Sequence, residues 1–121
     1  MNKVLIIATS NRNFIEQMQK DLQSMNIDIV SAEDGIEALR LIRRNKPALA
    51  LVEDVLPRLD GYKLARLIKF DNKFRRVRIF IVTQAVMEEY QELSQLVGAE
   101  GILAMNDINI VEKVKSYYQS E

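Results

Sequence analysis

Five short apolar segments recur along this chain, and each is followed by a stretch whose apolar residues have helical spacing. Most of these segments are continuous rather than alternating, which indicates strands with both faces buried. A parallel sheet covered by helices on both faces meets that requirement. The predicted strands are Val4–Ala8, 27–31, 49–52, 78–83 and 101–105.

The segments between the strands predict helices. Apolar residues from Phe14 to Met25 have helical spacing, so the first helix is predicted over residues 11–25. Right-handed crossovers between the strands then give one doubly wound α/β domain over residues 1–121. The other predicted helices open at Asp34-Gly35, run over about 61–70 and 87–97, and follow a cap at Asn106-Asp107 to end near Tyr118.

Composition excludes several kinds of chemistry. The chain has 121 residues with no cysteine and no histidine, which excludes thiol catalysis, disulfides, zinc sites and histidine acid–base chemistry within it. Seventeen basic and seventeen acidic residues give zero formal charge, which argues against a general nucleic-acid binder. No apolar run approaches the roughly 20 residues that span a bilayer. We therefore expect a cytoplasmic protein with no membrane partner.

Ligands of doubly wound sheets bind at the carboxyl ends of the strands. The pairs that end four of the predicted strands are Ala8-Thr9, Glu53-Asp54, Thr83-Gln84 and Met105-Asn106. The loop from Thr9 to Asn13 lacks the glycines of phosphate-binding loops, so we favour an ordinary helix cap at Ser10 or Asn11 over a phosphate, nucleotide or flavin site.

In order and spacing, several short motifs resemble the receiver domain of bacterial response regulators, over about Lys3 to Ser116. The resemblance implies a flavodoxin-like fold with strand order 2-1-3-4-5 and a role in two-component signalling. The motifs are Lys3-Val4-Leu5-Ile6-Ile7, Asp34-Gly35 before Glu37-Ala38-Leu39, Pro47, Leu56-Pro57 before Asp60-Gly61, Thr83, and Gly98-Ala99.

The resemblance also implies a phosphorylation site that this sequence has largely lost. In the family, two carboxylates after strand one hold Mg²⁺, an Asp ending strand three accepts a phosphoryl group, and a Thr or Ser and a Lys stabilise it. Here Ala8 and Thr9 replace the acidic pair, Glu53 replaces the acceptor, and Met105 replaces the Lys, whereas Thr83 is retained. The chain resembles a degenerate receiver, in which Mg²⁺ binding is expected to be lost or weak.

Two interpretations of the acceptor position stay open. Glu53 either mimics a phosphorylated Asp, held by the hydroxyl of Thr83, or is a solvated residue at the strand end. Asp54 is an alternative acceptor, but strand alternation points residues 53 and 54 to opposite sides, so a bulge would be needed to exchange them.

Charge is distributed unevenly. Residues 58–78 hold eight basic and two acidic residues, whereas 79–121 hold two basic and seven acidic ones. Aromatic Tyr62, Phe70 and Phe74 lie among the basic residues. A solvated face with inward aromatics is the favoured interpretation, and an acidic protein partner comes before nucleic acid among the others. The candidate contact residues are Arg66, Lys69, Lys73, Arg75 and Arg76.

A second candidate surface comes from the resemblance. In receivers, helix four, strand five and helix five form a common docking and dimer face. Ile102 occupies the family's aromatic switch position, and Tyr117 and Tyr118 either contact a partner or cover the sheet edge. The helix-four stripe of Met87, Tyr90, Leu93 and Leu96 or Val97 is interpreted as core.

These features favour a non-enzymatic, phosphorylation-independent protein–protein interaction module over two alternatives. Its partners would be signalling proteins such as a histidine kinase or an output protein. The first alternative is an atypical receiver still phosphorylated at Asp54 or Glu53 by a histidine kinase. The second is a nucleotide or flavin binder, which the missing Gly-rich loop disfavours.

Overall fold

The computed structural model describes residues 3–84 and 88–119, and its centre is one parallel sheet of five strands. The strand order is β2-β1-β3-β4-β5, so the predicted doubly wound fold and strand order are confirmed. Apolar residues fill the three central strands on both faces because both faces are covered. The strands are β1 Val4–Ala8, β2 Asp28–Ala32, β3 Leu49–Glu53, β4 Arg78–Thr83 and β5 Gly101–Ala104.

Five helices follow the five strands in turn. Three of them start at side-chain caps, where Asn11, Asp34 and Asp60 each accept a bond from the backbone N–H three residues on. The favoured prediction of an ordinary cap after β1 is therefore confirmed at Asn11. The helices are α1 Arg12–Asp21, α2 Gly35–Asn45, α3 Gly61–Lys69, α4 Glu88–Leu96 and α5 Ile110–Ser116.

Two apolar layers lie on opposite faces of the sheet. Leu5 and Ile7 of β1 pack in the layer with α1 and α5. Ile6 and Ala8 pack in the layer with α2, α3 and α4. This alternation along one strand is why continuous apolar runs indicated a sheet covered on both sides. Within the described ranges, no helix has the length and apolarity to cross a membrane.

Two predicted helix boundaries are wrong for local reasons. The first helix ends at Asp21 rather than residue 25, because a 3₁₀ turn follows and Asn26 adopts a left-handed φ of 57° that turns the chain into β2. The last helix begins at Ile110, and Asn109 rather than Asn106-Asp107 precedes it. Asp107 instead accepts a hydrogen bond from the backbone N–H of Asn109 at 2.8 Å.

The core interpretation of the helix-four stripe is wrong for Leu93, and of the alternatives Leu96 and Val97 it holds for Val97. Leu93 and Leu96 are exposed, and the helix buries Ser94 instead. Ser94 fits there because its hydroxyl donates to the Gln91 carbonyl at 2.8 Å, which satisfies its polar group. Val97 is buried as expected, and Met87 lies outside the described residues.

Candidate functional site

A buried hydrogen bond joins the ends of β1 and β3. The hydroxyl of Thr9 donates to Oε1 of Glu53 at 2.6 Å, and both side chains are buried. The backbone N–H of Asn11 donates to the same hydroxyl oxygen at 3.0 Å. Thr9 is thus held by the turn that caps α1, and it fixes the Glu53 carboxylate in one position.

Close backbone packing also positions Glu53. A Cβ on Gly61 would lie 2.2 Å from the Glu53 carbonyl oxygen, so only glycine lets α3 begin against the end of β3. The Gly61 N–H donates to the Asp54 carbonyl at 3.0 Å, which closes the β3–α3 loop. The Asp60-Gly61 pair therefore serves the site as well as the helix start.

The Thr83 hydroxyl bonds the carboxylate of Asp54, whereas the mimic interpretation expected it to hold Glu53. This hydroxyl donates to Oδ2 of Asp54 at 3.0 Å. The Asp54 N–H donates to the Val82 carbonyl, so the β3–β4 pairing continues past Glu53 and brings Asp54 beside the end of β4. The carboxylates of Glu53 and Asp54 therefore accept hydrogen bonds from two different hydroxyls, those of Thr9 and Thr83.

Tyr62 lies close enough to Asp54 to be affected by its charge, a proximity that sequence reasoning missed. Its hydroxyl is buried and has no hydrogen-bond partner among the described residues. Burial, and then the negative charge of Asp54, raise the pKa of Tyr62 to about 12. The sequence signal for this proximity is that Tyr62 follows Gly61, because Gly61 brings the start of α3 close to the end of β3.

The position expected to hold a lysine carries a thioether between two amides. The Met105 sulfur accepts long contacts from the side-chain amides of Asn11 at 4.0 Å and Gln84 at 3.8 Å. The cavity beside it has a volume of about 400 Å³. Among the described residues its lining carries no charged side chain, and its members are Asn11, Asn13, Phe14, Gln17, Gln84, Met105 and Asn106.

This set of side chains does not fit a magnesium ion. Ala8 has no ligand atom, and the Thr9 hydroxyl is used to bond Glu53. Mg²⁺ prefers carboxylate and water oxygens in octahedral geometry. Within the described part of the chain, no three Asp, Glu, His or Cys side chains cluster in a way that could hold a metal.

Comparison with known proteins decides the family. The response regulator receiver domain family matches residues 4–114 of this chain. The chain is a member of that family.

Similar proteins cover nearly all of this receiver domain. The polar-differentiation response regulator DivK of Brucella anthropi is 24% identical over 119 residues, 97% of each chain. A response regulator structure from Chloroflexus aurantiacus has a TM-score of 0.86 at 22% identity, covering 98% of each chain. The chemotaxis regulator CheY4 of Vibrio cholerae has a TM-score of 0.84 at 15% identity, covering 97% of this chain and 99% of its own.

One residue of the predicted basic partner surface is structural. Lys69 points inward, and its Nζ pairs with Glu100 at 2.9 Å and donates to the carbonyls of Arg75 and Val77. The proposed contact role of Lys69 is therefore wrong, because its charge is already neutralised and bonded. The exposed members of that surface are Arg66, Lys73, Arg75 and Arg76.

The aromatic residues of the basic segment do not all pack inward. Phe70 is exposed and lies under the Arg66 guanidinium at 5.8 Å from its ring centroid. Phe74 is half-buried, with the Lys46 ammonium at 5.6 Å. Half-buried Tyr62 packs against the core. The inward interpretation is thus wrong for Phe70.

Two residues of the predicted second surface belong to the core. Ile102 is buried, and Tyr118 is buried with its hydroxyl donating to the Val4 carbonyl at 2.8 Å. Their burial leaves little surface for a partner contact, and of the two alternatives for Tyr118 the structure supports covering of the sheet. Tyr117 is half-buried, edge-on to Phe80 at 5.8 Å, with the Arg78 guanidinium over its ring.

Proposed function

We propose that this receiver domain is a protein–protein interaction module of two-component signalling whose binding does not depend on phosphorylation. The observation that supports it is the bond from Thr9 to Glu53. The acceptor position carries a permanent carboxylate that is already hydrogen-bonded and buried. A histidine kinase or an output protein is the proposed class of partner.

Loss of the stabilising groups supports the absence of phosphoryl transfer. The transferred group is highly charged and needs a divalent cation and fixed donors. Ala8, Thr9 and Met105 supply no formal charge. Because removing one transition-state donor costs about 3–4 kcal/mol, the combined change is expected to make transfer too slow to signal. Mg²⁺ binding is accordingly proposed to be lost or weak, and the domain to be no enzyme.

An alternative function has one observation in its favour. Asp54 is only half-buried, and its carboxylate accepts a bond from Thr83, the retained hydroxyl of the family's site. Phosphorylation at Asp54, or at Glu53, would make the chain an atypical receiver. Met105, at the position where the resemblance implies a lysine, counts against this alternative.

Intact mass measurement distinguishes the two. The protein is incubated with acetyl phosphate and Mg²⁺, beside Asp54→Asn and Glu53→Gln variants. We expect no phosphoryl adduct on any of the three proteins. An adduct on the wild type that Asp54→Asn or Glu53→Gln abolishes would replace the proposed function with the alternative and identify the acceptor.

A capture experiment tests the binding role. Immobilised wild type, Glu53→Gln and Arg75→Glu/Arg76→Glu proteins are exposed to lysate of the source cells. If Glu53 acts as a fixed mimic of phosphorylation, the Glu53→Gln protein is expected to capture less partner than the wild type. If the exposed basic turn attracts an acidic partner, the Arg75→Glu/Arg76→Glu protein is also expected to capture less. Equal capture by all three proteins would contradict both roles.

A further inference from the structure

Four large apolar side chains are exposed on two neighbouring helices. Leu67 and Phe70, at the end of α3, are 45% and 67% exposed. Leu93 and Leu96 of α4 are 37% and 68% exposed. Clustered exposure of this kind marks an interaction surface. The α3–α4 face is defined here as Lys63, Arg66, Leu67, Phe70, Glu89, Glu92, Leu93 and Leu96.

Two grooves make this face continuous. One has a volume of about 430 Å³ and lies along α3, where Leu67 and Phe70 line it. The other, of about 310 Å³, lies between the helices, where Leu93 and Val97 line it. Lys63 and Arg66 line both grooves. The two grooves therefore share a basic border.

The two halves of the face carry opposite charges. Lys63 and Arg66 are exposed on α3, whereas Glu89 and Glu92 are exposed on α4. Residues three or four apart share one side of a helix, so Glu89 lies beside Leu93, and Glu92 beside Leu96. Lys63 pairs with Asp60 at 4.0 Å, whereas among residues 3–84 and 88–119 no ion pair involves Arg66, Glu89 or Glu92.

We propose that the α3–α4 face binds a second copy of this chain, with α3 of each protomer against α4 of the other. A two-fold axis brings each basic half onto an acidic half and buries all four apolar side chains of each protomer, as an isologous interface requires. A partner of one charge sign would meet like charge on half of the face. The second copy is therefore the occupant that fits both halves.

This face differs from the one that the family resemblance suggested. Ile102 and Tyr118 are buried in their own protomer, so they offer little surface to a copy. The dimer proposal does not depend on the proposed function, because the proposed function rests on Glu53 at the strand ends and the dimer rests on the α3–α4 face. The phosphoryl-adduct assay tests only the strand ends, so the two proposals can fail separately.

Sedimentation velocity with paired charge reversals tests the proposal. The wild type is expected to shift from monomer to dimer between micromolar and millimolar concentration, and less so at high salt. Lys63→Glu/Arg66→Glu and Glu89→Lys/Glu92→Lys are each expected to remain monomeric. Mixed in equal amounts, these two variants are expected to form a heterodimer, because every charge again faces its opposite.

The control reverses exposed charges outside the face. Arg75→Glu/Arg76→Glu is expected to dimerise like the wild type, and circular dichroism checks that each variant is folded. Three results would overturn the proposal. The wild type could stay monomeric at all concentrations, either charge-reversed variant could dimerise on its own, or the mixture of the two could stay monomeric. A wild-type monomer would leave a partner of other composition as the occupant of this face.

Discussion

At the scale of single residues, the Thr9 hydroxyl offsets the free-energy cost of burying the Glu53 carboxylate. A buried charged group is costly unless it is hydrogen-bonded. The Thr9 hydroxyl, 2.6 Å from Glu53, supplies that bond, and the Asn11 N–H fixes the hydroxyl in turn. Thr9 is therefore a structural requirement for having Glu53 at this position.

Replacing Thr9 by valine tests this dependence. Thr9→Val keeps the shape but removes the donor, so the free energy of unfolding should fall by about 1.5–3 kcal/mol, the range for bonds to charged groups. Urea denaturation measures it. Thr9→Ser retains the hydroxyl and is expected to lose less than half as much. Equal losses in the two variants would mean that the methyl contact, which only Thr9→Ser removes, contributes as much as the hydrogen bond.

Tyr62 and Tyr118, whose hydroxyls are buried differently, should respond in opposite ways to loss of those hydroxyls. The Tyr62 hydroxyl has no described partner, whereas the Tyr118 hydroxyl bonds the Val4 carbonyl. Near neutral pH, Tyr62→Phe is expected to raise the free energy of unfolding by up to about 1 kcal/mol, and Tyr118→Phe to lower it by about 1 kcal/mol. Urea midpoints check both. A loss in Tyr62→Phe would reveal a partner for that hydroxyl.

Alkaline pH should destabilise the protein through the same two residues. Burial raises the pKa of both Tyr62 and Tyr118, and for Tyr62 the value is about 12. Because the folded state favours the neutral phenol, this stabilisation is complete below pH 10, the pKa of an unfolded tyrosine, and is lost as the pH rises from about 10 to 12. Urea midpoints across this range should fall less steeply in Tyr62→Phe than in the wild type.

The sequence predicted which residue occupies the acceptor position but not its hydrogen-bond partner. The spacing from Pro57 identified Glu53, and strand alternation separated it from Asp54. Thr9 follows β1 and Thr83 ends β4, and both strands neighbour β3, so spacing alone leaves both hydroxyls in reach of the carboxylates. Side-chain rotation decides between them, and it depends on packing that the sequence does not display.

At the scale of elements, one ion pair holds three of them together. Lys69 of α3 bonds the carbonyl of Val77 before β4 and the carboxylate of Glu100 before β5. Glu100 in turn accepts from the Ile79 N–H at 3.2 Å. The pair is mostly buried, with 14% and 17% of the two side chains exposed. Removing one partner would leave the other charge without compensation.

A matched pair of lysine variants tests this role. Lys69→Met is expected to lower the free energy of unfolding by about 2–3 kcal/mol, somewhat below the 3–5 kcal/mol of a fully buried pair. Lys73→Met changes an exposed lysine of the same segment and should cost less than about 0.5 kcal/mol. Thermal or urea unfolding compares them. Similarly small changes in the free energy of unfolding in both variants would contradict the structural role of Lys69.

Element order was readable from the sequence, whereas element ends and helix orientation were not. Continuous apolar runs such as Ile79–Val82 predict a covered strand whatever surrounds it. The end of α1 depends on the left-handed turn at Asn26. On α4 the periodicity admits either Leu93 or Ser94 as the inner residue, and the local bond from Ser94 to Gln91 lets the serine take it.

At the scale of the whole molecule, the receiver fold forms with Ala8, Thr9 and Met105 at positions where the resemblance implies charged residues. Both apolar layers and all five parallel strands are in place, with Glu53 and Thr9 where the family carries acidic groups. Any ligand that binds only the folded state raises the free energy of unfolding. Global stability therefore reports whether a divalent cation binds at this edge.

A single substitution should restore a response to Mg²⁺. Thr9→Asp places a second carboxylate beside Glu53, so like-charge repulsion lowers stability until a divalent cation binds between the two. At tenfold excess over its dissociation constant, Mg²⁺ should recover about 1.4 kcal/mol.

Thr9→Asn has nearly the same shape without the charge and provides the control. Its urea midpoint, like that of the wild type, should not change between Mg²⁺ and a potassium salt of equal ionic strength. A wild-type midpoint that rises with Mg²⁺ would contradict the proposed loss of the metal site. A Thr9→Asp protein indifferent to Mg²⁺ would show that Glu53, bonded and buried as it is, cannot turn toward a cation.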